Sequence, residues 1–87
     1  MQFNRDWLAN ANLREVSRAS FAILDALQAY SPGAKAAALA AVFQLFMTSA
    51  GIRPAEALEI VNNVMHEGEG KRPEFRAIAN YFQHEMD

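Results

Sequence analysis

Residues 36–52 read "AAALAAVFQLFMTSAGI", and no charged side chain interrupts the run between Lys35 and Arg53. A surface helix carries a polar side opposite its apolar stripe. This segment barely has one, so what it packs against decides how the chain folds.

The run is helical by its punctuation. Ser31 is a good N-cap, and Pro32 suits the first turn, where a missing N–H costs nothing. Gly51 stands where a helix stops in a left-handed C′ residue. Within 32–50, Leu39, Val42, Phe43, Leu45, Phe46 and Met47 cover an arc of roughly 200°, wider than a surface helix needs. The opposite side holds Ala37, Ala40, Ala41, Gln44 and Thr48. Of these, 37, 41, 44 and 48 follow i, i+4, i+7, i+11 and form one ridge. Two arrangements follow. In one, the segment is a central helix wrapped by the rest of the chain. In the other, the large side faces the chain's own core and the small ridge lets a second backbone approach closely, with Gln44 beside its symmetry mate. Phe21 and Met47, both off the main stripes, would extend that contact. The interface residues expected on this basis are Ala37, Ala41, Gln44, Thr48, Phe21 and Met47. Burying the Gln44 amide unpartnered would cost about 1–3 kcal/mol, so a hydrogen bond is expected for it.

Similar punctuation divides the remainder. "SPG" at 31–33, "GIRP" at 51–54 and "GEGKRP" at 68–73 each read as a helix stop and restart. A helix over about 13–30 begins behind Asn12, with Glu15 three residues on as in a capping box. Its apolar face is Leu13, Val16, Ile23, Leu24, Leu27 and Tyr30. A helix over about 54–66 has Leu58, Val61 and Met65 as its main stripe, widened by Ala57 and Val64. A fourth, over about 73–86, lines up Phe75, Ile78, Ala79, Phe82 and Met86. A short helical turn at 4–10 would let Phe3, Trp7 and Leu8 cap the bundle. No alternating run bounded by turns competes. The expectation is an all-α bundle, one helical domain over 1–87, with three main helices, a fourth C-terminal helix and a short N-terminal helical turn.

Composition narrows the function. The chain has 87 residues, 52% of them apolar, which excludes a disordered chain. Seventeen are alanines, which bury little area each; twenty-eight larger apolar residues remain, enough for one small core. The net charge of −2 offers no cationic surface for counterion release on nucleic acid. Residues 1–35 carry +1 and residues 36–87 carry −3, so the C-terminal half disfavours an anionic partner. There is no cysteine, hence no disulfide or thiolate metal site, which fits a cytoplasmic location. "MQFNRDWLAN" has no apolar h-region, and the uncharged run is short for a bilayer and holds Gln44, Thr48 and Ser49, so no membrane association is expected.

Catalytic chemistry has few candidates. The hydroxyls are Ser17, Ser20, Ser31, Thr48 and Ser49, and neither His66 nor His84 is paired with one by any motif. Both histidines fall near helix ends, where a cation complements the dipole. "HEGEG" lacks the spacing of a metal site. "GEGKRP" places Lys71 and Arg72 before a helix N-terminus, but without a P-loop pattern and among Glu67, Glu69 and Glu74. No enzyme, cofactor or metal is expected.

"FMTSAGIRPAEALEI", 46–60, loosely resembles a helix-turn-helix, with Phe46, Ala50, Ile52, Ala57 and Ile60 near its apolar places around Gly51. The second helix would present Arg53, Glu56, Glu59, Asn62, Asn63 and His66, an acidic set for phosphates to meet. The expected function is a small non-enzymatic protein–protein interaction module: a regulator, adaptor or inhibitor that homodimerises through the helix at 32–50. The alternative is a DNA-binding regulator using about 40–66.

Overall fold

The computed structural model describes residues 3–67 and 70–85. The fold is all-α: α1 (Asp6–Ala9), α2 (Leu13–Leu27), α3 (Pro32–Ala50), α4 (Pro54–Met65) and α5 (Pro73–Glu85). A two-residue antiparallel ladder joins the last two, β1 (His66–Glu67) to β2 (Gly70–Lys71), with His66 opposite Lys71. The sequence gives no strand signal there, because two residues cannot show a period of two.

Local chemistry fixes the ends. The Glu15 N–H donates to Asn12 Oδ1 at 3.1 Å, and the Ala34 N–H donates to Ser31 Oγ at 3.3 Å. Pro32 and Pro54 open α3 and α4. Gly51 stops α3 in the left-handed region at φ 78°, and its N–H reaches back to the Met47 and Thr48 carbonyls. Helix α2 ends at Leu27, three residues before the expected Tyr30. Met86, assigned above to the last apolar stripe, lies outside the described residues.

The end of α4 accounts for "GEGKRP". Its last four carbonyls have no helical partner. His66 supplies two donors: its backbone N–H reaches Asn63 O, and Nδ1–H reaches Asn62 O at 2.8 Å. Arg72 supplies the other two: its backbone N–H reaches Met65 O and its Nε–H reaches Val64 O, both at 2.8 Å. The ladder returns Arg72 to the end of α4, so this guanidinium serves as a C-cap.

The core is small. Met47, Ile52 and Ala57 are buried together where α3 turns into α4, with Phe3, Leu8 and Phe43 packed around them. Phe3 sets its ring edge-on to both Trp7 and Phe46. Phe3 and Leu8 thus cap this end as expected, while Trp7 stays largely exposed. Arg5 Nε–H donates to Glu56 Oε1 at 2.6 Å, tying the start of α1 to α4. Elsewhere α2 packs on α5: Leu24 and Phe75 are buried, Phe21 meets Tyr81 edge-on, and Gln28 donates to the Tyr81 hydroxyl at 3.0 Å.

Two expected stripes hold in most positions. On α4 Ala57, Val61, Val64 and Met65 face inward as expected, joined by Ile60, while Leu58 is exposed. On α2 Phe21 turns inward while Ile23 and Tyr30 stand in water. The radius of gyration is 13.7 Å, against about 12 Å for a compact chain of this length.

Candidate functional site

Helix α3 departs most from expectation. It is not a central helix, since only Met47 and Ala50 along its length are buried. Of its large side only Met47 and Phe43 meet the core; Leu39 is 38% exposed, Phe46 47%, Val42 66% and Leu45 67%. The cause lies in where the helix is held. Its last turn is clamped by the Gly51 stop and the Met47–Ile52–Ala57 cluster, and the preceding turns run away from that anchor.

The expected interface residues separate into three groups. Ala37, Ala41, Gln44 and Thr48 all lie exposed on one side of α3. Gln44 is exposed to solvent and makes no side-chain hydrogen bond among the described residues, so the burial that would demand a partner for its amide does not arise here. Met47 is 5% exposed and belongs to the core, which corrects its placement at an interface. Phe21 is half-buried against Tyr81 and is occupied by the α2–α5 contact, away from the ridge.

What sequence reading missed is the other side of α3. At 100° per residue Leu45, Val42, Phe46 and Leu39 span about 120°, centred about 130° around the helix from the ridge. This face rims an open groove of about 430 Å³ between α2 and α3, whose walls include Ile23, Leu27, Leu39, Val42 and Phe46, with Met47 deeper. Almost no polar atom lines it. At about 200 Å² for a fully exposed large apolar side chain, Ile23, Leu39, Val42, Leu45 and Phe46 together leave roughly 500 Å² in water. That is near the upper end for the largest patch of a monomeric protein. The signal was present in the sequence as an apolar arc too wide for one core to cover.

The α3–turn–α4 unit has helix-turn-helix spacing, with Gly51, Ile52 and Arg53 between the helices and Ile52 and Ala57 buried. Its second helix exposes Arg53, Leu58, Glu59, Asn62 and Asn63, while Glu56 is held by Arg5. The Arg5 hydrogen bond holds the Glu56 carboxyl below its ordinary range, so it is ionised at neutral pH. With Glu56 neutralised by Arg5, Arg53 is offset by Glu59, which gives phosphates no net attraction. Among the described residues, no three His, Asp or Glu side chains gather as metal ligands would. By length and composition α3 could cross a membrane, which is weak evidence for one such helix. The chain matches no protein-family model, no curated protein sequence and no solved structure.

Proposed function

We propose that this chain is a small, non-enzymatic, cytoplasmic protein–protein interaction module that self-associates through α3 and serves as a regulator, adaptor or inhibitor of another macromolecule. One observation carries the reading: a helix held firmly at one end presents Leu39, Val42, Leu45 and Phe46 to water. At 38–67% exposure each forgoes about half of the 1.5–3 kcal/mol that full burial of such a side chain gives, a drive toward a covering partner. Unfolding tests this. If association is coupled to folding, the thermal midpoint rises with total chain concentration. A midpoint independent of concentration over two decades would refute self-association.

The DNA-binding alternative draws on the α3–α4 turn alone. It requires retention on duplex DNA at low salt that falls steeply as salt rises. The charges on α4 predict no such retention.

A further inference from the structure

We propose that α2 is a lid for α3: carrying α5 with it, it swings about its end turns and closes on Leu39, Val42 and Phe46 as an antiparallel helical hairpin. The inference concerns one chain alone and stands apart from the self-association reading. It states how access to one side of α3 is controlled.

The helices fall into two groups. Helix α2 packs on α5, and α1 and α3 pack on α4, while α2 and α3 pack little against each other. Each group has its own buried residues, Leu24 and Phe75 in the first and Met47, Ile52 and Ala57 in the second. The groove of about 430 Å³ is the gap between them. The whole chain is correspondingly open: it exposes 6609 Å², whereas a folded monomer of 9.7 kDa exposes about 5,100 Å². A gap between helix groups leaves surplus surface on both of its walls and enlarges the radius of gyration, as seen here.

The two walls suit each other. At 100° per residue Leu39, Val42 and Phe46 share an arc of about 60° on α3, and Val16, Ser20, Ile23 and Leu27 share one of about 60° on α2. Arg14, Arg18 and Asp25 lie about 150° or more from the centre of the α2 stripe, and Glu15 about 110°, so closure buries no charge. The Ser20 hydroxyl already donates to Val16 O at 2.8 Å, so covering it leaves no unmet donor. Phe21, which meets Tyr81 on α5, lies about 130° away, so α2 can reach α3 without releasing α5.

Chain connectivity sets the register. Residues 28–31 join the two helices, a length that suits an antiparallel pair. Three or four residues back along α2 then match three or four forward along α3. Leu27 opposite Leu39 sets Ile23 opposite Val42 and Ser20 opposite Phe46, so the smallest member of one stripe faces the largest of the other. The pivots are free to turn: Gln28, Ala29 and Tyr30 are exposed, as are Asn10 and Asn12 before α2.

Leu45 lies about 90° from the centre of the α3 stripe, and the ridge at 37, 41, 44 and 48 lies further round. Both stay uncovered when the lid shuts. Lid position therefore decides whether a partner of α3 meets its whole apolar face or only Leu45 and the ridge.

The lack of cysteine supplies the test, because two introduced cysteines are the only thiols. Facing Cα atoms of closely packed helices approach to about 5 Å, within disulfide range. Ile23 and Val42 are 48% and 66% exposed, so replacing them leaves the packing of the open chain intact. Mild copper oxidation of Ile23→Cys/Val42→Cys is expected to link most of the chain within itself, at a rate independent of chain concentration. Linking should lower the binding of anilinonaphthalene sulfonate, a probe of exposed apolar surface, several-fold, and reduction should restore it. Ile23→Cys/Leu45→Cys should stay unlinked. Circular dichroism checks that each variant is folded, and Leu27→Cys/Leu39→Cys replaces the first pair if that pair unfolds the chain. A folded pair that does not link within the chain overturns the lid. Dye binding unchanged by linking overturns closure of the groove, and equal linking of Ile23→Cys/Leu45→Cys overturns the register. Linking only between chains, at a rate that rises with concentration, overturns the lid and leaves self-association standing.

Discussion

Ile52→Ala probes the cluster that anchors α3. Ile52 sits two residues beyond the end of α3, 3% exposed, packed with Met47 and Ala57. The substitution removes three carbons, worth about 2.4 kcal/mol at 0.8 kcal/mol each. A cavity contribution adds to this, held small because the neighbouring Met47 is flexible and can relax into the space. The backbone bond from Ile52 N–H to Met47 O at 3.0 Å is unaffected. The expected loss is therefore about 2.5–3.5 kcal/mol, a large share of the 4–13 kcal/mol usual for a chain this size. Urea unfolding followed by circular dichroism measures it, with every variant at the same chain concentration so that the proposed association cannot bias the comparison. The slope should stay constant while the midpoint falls. Leu58→Ala is the control: exposed on α4, it should change stability by less than about 0.5 kcal/mol. A loss below about 1 kcal/mol for Ile52→Ala, or an equal loss for Leu58→Ala, would refute the placement of the core at the α3–α4 turn.

Three further outcomes follow from local geometry. Asn12→Ala removes the acceptor for the Glu15 N–H and should cost about 1 kcal/mol in the same urea assay. Gly51→Ala meets no atom within 4 Å, so its cost is confined to the left-handed backbone, about 1–2 kcal/mol by thermal unfolding. For the Arg5–Glu56 pair, the folded carboxyl titrates below its ordinary value, so its contribution is present above the unfolded glutamate's range and disappears as pH falls through the depressed value. The pair is at the surface, so the stability difference between wild type and Glu56→Gln should be small at pH 7, weaken in high salt and disappear once the pH is below the depressed value.

Much of the fold was legible because its signals are local. Asn12, Ser31, Pro32, Gly51 and Pro54 mark helix ends by their own backbone preferences, and each acts within a few residues. Stripe direction was less legible. Phe21 and Ile23 are neighbours of similar apolarity, and only the arrival of Tyr81 from α5 decides which turns inward. The Arg72 cap was hidden because its partners, Val64 and Met65, come near only once the chain reverses over 66–71. The candidate site was half legible. Residues 36–52 announce an apolar helix needing cover on two sides, but the pattern cannot say which side the chain covers for itself. The ridge at 37, 41, 44 and 48 drew the sequence argument because small residues permit close approach. The structure leaves both sides of α3 open, and by area the larger apolar side, Leu39–Val42–Leu45–Phe46, has more to gain from burial.

The central claim is that α3 is a self-pairing surface, and the mass of the chain in solution tests it most directly. Sedimentation equilibrium of the wild-type chain over micromolar to millimolar concentration should give twice the 9.7 kDa chain mass, and Val42→Glu should shift the equilibrium to monomer or unfolded chain. A wild-type chain that sediments as a folded 9.7 kDa monomer at the highest concentration would contradict the account.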